Sequence, residues 1–245
     1  MNQPSPSPHT LPISVLLHLT PGLLCAAGYL ALVPVARAWG LPSAAALGAS
    51  ALLVTGPLLL GLLTVASRQQ SQRGTPVIAL RRVPRTRAIL GWAAVIVGCA
   101  AAGFVLARPV NDLVEHTLFD AWPDSWKPQP GTAGGYSDDA LLWTAVLILT
   151  GSAIVAGVLE EVYFRGFLLP RMPAALARTG PVAHTILFAL YHVWTPWLAP
   201  TRILGILPLT YITLHTRSIL PATVAHITVN MIDVIVILAI VTRLG

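Results

Sequence analysis

The fold class the sequence predicts is an all-α bundle embedded in a bilayer, and three observations predict it. Of 245 residues, 55% are hydrophobic and only 10% charged, with a mean hydropathy of +0.74, outside the range of soluble domains. Apolar runs of membrane-crossing length recur along the chain. Between them the charges sort by sign, basic in one loop and acidic in the next. At about 20 residues per crossing, the length holds about seven transmembrane helices, six to eight in all, as one integral domain.

The elements follow in order. Residues 1–12, with Pro4, Pro6, Pro8 and Pro12, form a polar tail without the basic stretch that opens a secretory signal, so the next run is expected to stay as a helix. Residues 13–139 hold the amino-terminal helices and their loops. Within them, the runs at 13–36, 43–66 and 88–107 are long enough to span. Residues 140–245 hold the carboxyl-terminal helical core. It begins with a run at 140–168 and continues with runs at 181–198, 203–215 and 219–241. The run at 203–215 is short and broken by Pro208, which predicts a partial or irregular segment there.

Charge sets the expected orientation. Residues 67–87 contain Arg68, Arg73, Arg81, Arg82, Arg85 and Arg87 and no acid, which places this loop in the cytoplasm by the positive-inside rule. The loop at 108–139 carries Asp112, Glu115, Asp120, Asp124, Asp138 and Asp139 against Arg108 and Lys127, and is expected outside. Arg171, Arg178 and Arg217 then fall in inner loops, with the amino terminus cytoplasmic and the carboxyl terminus outside. Trp122 and Trp126, among Pro123, Pro128, Pro130, Gly131, Gly134 and Gly135, read as an interfacial connection at headgroup level.

Composition also excludes function classes. The formal charge of +6 does not point to nucleic acid, because the basic residues sit between apolar runs rather than on one soluble face with aromatics. Cys25 and Cys99 are isolated in apolar segments, which supports neither a disulfide framework nor a zinc finger. No internal repeat of the transporter kind is visible.

Six of the nine acidic residues lie in the exterior loop, leaving Glu160, Glu161 and Asp233 at membrane depth. A carboxylate in hydrocarbon costs roughly 2.5–3.5 kcal/mol on insertion scales, so these need partners or a purpose. Glu161 and Arg165 are one helical turn apart and suited to pair, which leaves Glu160 pointing elsewhere. His192 follows Phe188 by four residues, and His226 precedes Asn230 by four, each pair on one helical face. At about 1.5 Å per residue, Glu160, His192 and His226 lie roughly 12, 16 and 10 Å from the inner ends of their runs, near one level. Carboxylate and imidazole together can hold and deprotonate a water, while imidazole and amide donors can meet the oxyanion formed as it attacks a carbonyl. Asp233 lies three residues beyond Asn230 and either orients it or His226, or sits in the wet outer half. His9, His18, His116, His184 and His215 lack acidic neighbours at such spacing, although His184 could share the face of His192. Tyr163 and Tyr191 adjoin the motif residues, either lining a groove or packing.

The segments Glu160 to Arg165, Phe188 to His192 and His226 to Asn230 resemble EExxxR, FxxxH and HxxxN, which occur in that order on successive helices in the CPBP intramembrane protease family. That family includes the CAAX prenyl endopeptidases and bacterial relatives labelled abortive-infection or bacteriocin-processing proteins. The resemblance covers about residues 140–241. It implies that Glu160 and His192 activate water and that His226 and Asn230 form the oxyanion site. Glu161, Arg165 and Phe188 are implied as supporting residues. It further implies glutamic-type chemistry without a metal. Two imidazoles and a carboxylate, His192, His226 and Glu160, would be the ligands of a zinc ion if one were used.

The expected activity is therefore hydrolysis of a peptide bond in a membrane-embedded or membrane-anchored protein or peptide, with the lipid bilayer and no nucleic acid as partner. Fourteen arginines against one lysine hint at a GC-rich, bacterial genome and so at the cytoplasmic membrane. Prenylated substrates do not suit such a host, whereas peptide maturation, removal of carboxyl-terminal anchors and release of a tethered factor all suit the site. Two other readings stay open on the residues alone, a proton-coupled transporter using the same groups as a relay and a non-catalytic immunity or scaffold protein.

Overall fold

A computed structural model describes residues 6–72, 74–128 and 135–242. Pro4, Arg73, Pro130, Gly131 and Gly134, which entered the sequence argument, lie outside them. Seven helices order the described residues: α1 Leu11–Ala38, α2 Ser43–Gln72, α3 Thr86–Leu118, α4 Asp138–Arg171, α5 Gly180–Tyr191, α6 Pro196–Thr216 and α7 Leu220–Val241. Six are long and apolar enough to cross a membrane, and α5 is not. There is no strand among the described residues, only an isolated bridge between Arg81 and Ser218. The all-helical bundle expected from composition is what forms, and the protein is an integral membrane protein. Leu16, Leu53, Val105, Leu106 and Ile235 turn outward, exposed as side chains facing lipid would be.

One boundary differs from expectation. The run at 181–198 does not make a full helix, because α5 stops at Tyr191 and the chain passes through His192 (φ −82°, ψ 55°) and Thr195 (φ −143°, ψ 61°) before α6 begins. The cause is Pro196, whose ring disfavours α geometry at Thr195. Pro208 does not break α6, which continues from Pro196 to Thr216. Arg202, placed by the expected boundaries in a loop, therefore belongs to a helix. Arg171 is not a loop residue either. It closes α4, fully buried, and donates to the carbonyls of Phe167 (2.8 Å), Val77 (3.0 Å) and Pro76 (3.1 Å).

Two of the long helices contain π-helical turns, Ala51–Thr55 in α2 and both Ile148–Ala156 and Glu161–Leu168 in α4. Such turns re-aim the side chains beyond them and recur at functional sites. Here α2 and α4 meet at Gly48 and Gly151, close enough that a Cβ on Gly151 would strike the Gly48 carbonyl. An aromatic core formed by Tyr29 of α1, Tyr163, Phe164 and Phe167 of α4, and Phe188 and Tyr191 of α5 packs beneath the bend.

At one end of the bundle, the arginine-rich loop is strapped down rather than loose. Ala79 N–H donates to Gly166 O (3.2 Å), Arg82 N–H to Arg217 O (2.9 Å) and Ile219 N–H to Leu80 O (3.3 Å), which ties the end of α4 to the α6–α7 turn. At the other end, Lys127 bonds Glu115 (2.8 Å) and lies 5.7 Å from the Trp197 ring centroid, while Phe119, Trp122 and Trp126 pack edge to face. The hydrogen bond to Glu115 holds the Lys127 amine above its ordinary pKa. This connection thus also caps the start of α6. Cys25 and Cys99 are free thiols.

Candidate active site

The site grows from the bend in α4. Glu160 ends a short α-helical stretch, Gly157–Glu160, set between two π-helical ones, and Glu161 opens the second. Both carboxylates are buried. Such groups survive burial only when other charges and donors reach them. For Glu161, Oε1 accepts from Arg165 Nη1 (3.0 Å) and from His226 Nδ1 (2.8 Å). The expected Glu161–Arg165 pair forms, and the guanidinium carbon lies 3.7 Å from the centroid of the Phe188 ring. That stacking seats a buried cation on a π face.

Glu160 is held differently. Its Oε1 accepts from the Tyr191 hydroxyl (3.1 Å), while Oε2 has no hydrogen-bond partner among the described residues and faces His226 Nε2 at 4.0 Å. His226 thus lies between the two acids, one through each ring nitrogen. With Nδ1 committed to Glu161, Nε2 is the nitrogen turned toward Glu160.

His192 sits where α5 ends. Its Nδ1 donates to Phe188 O (2.9 Å), so the neutral ring keeps a lone pair on Nε2. The Phe188 ring meets it edge to face at 4.9 Å. On α7, Asn230 donates one Nδ2 hydrogen to Ser152 O (3.0 Å), which fixes the amide and leaves its second N–H.

Glu160, Glu161, Arg165, Phe188, His192, His226 and Asn230 all line one cavity of about 670 Å³, walled mainly by α2, α3, α4, α6 and α7 and completed by Cys25 of α1 and Phe188 of α5. Asp233 is exposed on the same cavity wall and is hydrogen-bonded to neither Asn230 nor His226. The other histidines lie elsewhere. His18 and His184 are buried and bonded to each other (2.9 Å), His215 packs on Trp92, and His9 on Phe167. Among the described residues no three His, Cys, Asp or Glu side chains form a metal-binding group, so Glu160, His192 and His226 do not fit as a ready ligand set.

Three residues escaped the sequence argument. Tyr191 was left between groove and core, whereas its hydroxyl bonds Glu160. Thr195 carried no signal of its own, yet its backbone and hydroxyl both receive Arg202, through Nη1 (2.9 Å) and Nη2 (2.7 Å). Arg202 lines the cavity. A lone arginine beside an apolar run was the signal for it.

Residues 142–232 match the family described as Type II CAAX prenyl endopeptidase Rce1-like. The match agrees with the resemblance read from the three motifs, and the family is one of proteases. The matched segment takes in α4 from its second turn, all of α5 and α6, and α7 as far as Ile232, and with them every motif residue. No curated protein and no solved structure matches the chain.

Proposed function

We propose that the protein is an intramembrane endopeptidase of glutamic type that cuts a membrane-embedded or membrane-anchored protein or peptide in a bacterial cytoplasmic membrane. The observation that carries this reading is the single cavity among spanning helices, lined by Glu160, His192, His226 and Asn230, with Glu160 Oε2 facing His226 Nε2. A water beside Glu160 and the His192 Nε2 lone pair gives a proton to the carboxylate, and its oxygen bonds to the scissile carbonyl carbon. The carbonyl oxygen takes up the electron pair and is met by the free N–H of Asn230 and by the Nε2–H of His226, which in this step carries a proton on both ring nitrogens between the two acids. As the tetrahedral carbon reforms its carbonyl, the C–N bond breaks and Glu160 returns the proton to the leaving amine. Glu161 acts by aiming His226, and Arg165 by holding Glu161.

The apolar remainder of the cavity wall, including Leu47, Ile96, Phe104 and Leu209, suits an apolar stretch of substrate. The test uses protein reconstituted in liposomes with membrane proteins of its own host, read by mass spectrometry of new termini. Wild type generates termini that Glu160→Ala does not, with equal membrane insertion of the two, and a zinc chelator leaves cleavage unchanged. Cleavage by Glu160→Ala at the wild-type rate would refute the role of Glu160. Loss on chelation, restored only by added metal, would replace glutamic chemistry with a metal site. Proton or solute flux dependent on Glu160 without new termini would favour a transporter.

A further inference from the structure

The cavity holds two guanidinium groups, and they are not equivalent. Arg165 is matched by Glu161 and stacked on Phe188. Arg202 spends two of its five N–H donors on the carbonyl and hydroxyl of Thr195 and has no carboxylate within 4.0 Å among the described residues. The acids of the cavity wall give it no bond: Glu160, whose charge reaches Arg202 only at longer range, accepts from Tyr191 and faces His226, Glu161 is taken by Arg165 and His226, and Asp233 is exposed. A cation at membrane depth with three unspent donors and no carboxylate bonded to it is costly, and it marks the path of an anion.

Its position defines which anion. Thr195, the anchor of the guanidinium, lies three residues beyond His192, at most about 11 Å of chain. The Thr195 N–H donates to His192 O (3.0 Å), so the turn is folded and the separation shorter still. The planar fork is fixed by Thr195 with three donors left over, the geometry that receives a carboxylate. We propose that Arg202 recognises a carboxylate of the substrate within a few residues of the bond that is cut. This rests on the endopeptidase reading and adds a specificity-determining residue to it, one outside all three motifs. The carboxylate is either the free carboxyl terminus of the substrate or an acidic side chain, and Arg202 treats the two alike.

The experiment pairs two membrane-anchored peptide libraries in liposomes. One ends in a free carboxyl terminus and the other in an amide, and each is made with and without Asp and Glu at its randomised positions. Wild type should cleave carboxylate-bearing members at least about tenfold faster than neutral ones, the scale of a charge-assisted hydrogen bond. Arg202→Met should abolish this preference, so that charged and neutral members are cut at the same rate, with Arg202→Lys between. The amidated, acid-free library separates the two sources, since preference for free termini and preference for acidic side chains appear in different arms. Binding of the same peptides to the Glu160→Gln protein should show the same loss with Arg202→Met. Equal cleavage of charged and neutral members by wild type would overturn the proposal without any variant, and an equal fall for both in Arg202→Met would assign Arg202 to shaping the His192 turn. If no library member is cut in a manner dependent on Glu160, the endopeptidase reading fails first and this one with it.

Discussion

Glu161 has two partners on one oxygen, and that makes its charge and its shape separable. Oε1 accepts from both Arg165 and His226. A glutamine there can present its amide oxygen to the same two donors while removing the negative charge. Alanine removes both, and leaves Arg165, which is fully buried, with neither counter-charge nor an acceptor for its Nη1–H. Breaking one side of a buried pair costs about 3–5 kcal/mol. Glu161→Ala should therefore fail to accumulate or lose most of its stability, whereas Glu161→Gln should insert and fold with a kcat reduced about tenfold or more and a KM near that of wild type. Denaturation in detergent and cleavage kinetics on one substrate check the two arms. Full activity in Glu161→Ala would remove Glu161 from any part in aiming His226. At this scale the motif residues were legible, because spacings of four residues are local and survive any error in helix boundaries. Tyr191 was not, since nothing in the sequence says that a tyrosine on α5 will reach a carboxylate on α4.

At the scale of elements, the helices themselves were legible from the length of their apolar runs, but two departures from regular helix were not. The π turns of α4 leave no compositional trace that apolar patterning can detect, yet they set the bend that carries Glu160 and Glu161. The break after Tyr191 did leave a trace, in Pro196, but the apolar run continues across it and run length outweighed the proline. The bend depends on close contact of α2 and α4. A Cβ at Gly151 meets the backbone of Gly48, and one at Gly48 meets the backbone of Leu147 and Ile148, so no side chain can swing aside. Gly151→Ala should destabilise by about 1–3 kcal/mol, the usual cost of overpacking, and lower cleavage through displacement of Glu160. Gly61 and Gly98 have open space at the same point. Alanine there should be neutral or stabilising by up to about 1 kcal/mol, as helix propensity dictates. Unfolding titrations of the three variants compare them directly, and a harmless Gly151→Ala would show that α2 and α4 are not held at this contact.

For the whole molecule, the broken segment decides how many times the chain crosses. Twelve residues of α5 rise about 18 Å, short of the roughly 30 Å hydrocarbon core, and the folded turn at His192–Thr195 adds little, so the ends of the segment decide whether it crosses. The ends agree with a crossing. His9 bonds the backbone of Arg171, and Ile219 bonds Leu80, at the arginine-rich end, while the start of α6 packs at the acidic loop through Trp197 and Phe119. At the far end of α7, Ile237 packs with Ala44 and Leu141, which lie just after the starts of α2 and α4. On these contacts the arrangement to expect is seven crossings with the arginine-rich loop inside, six by full-length helices and one by α5 with its turn, whose irregular backbone is tolerated because it lines a cavity. In a cysteine-free background, single cysteines at Ser71, Asp120 and Thr242, all exposed, report the three ends. A membrane-impermeant maleimide added to intact cells should label Asp120→Cys and Thr242→Cys, and reach Ser71→Cys only after permeabilisation. Thr242→Cys labelled together with Ser71→Cys would mean that the α5–α6 segment turns back without crossing. His192 would then approach Glu160 from a re-entrant hairpin, and the acidic end of the cavity would no longer mark the outer face.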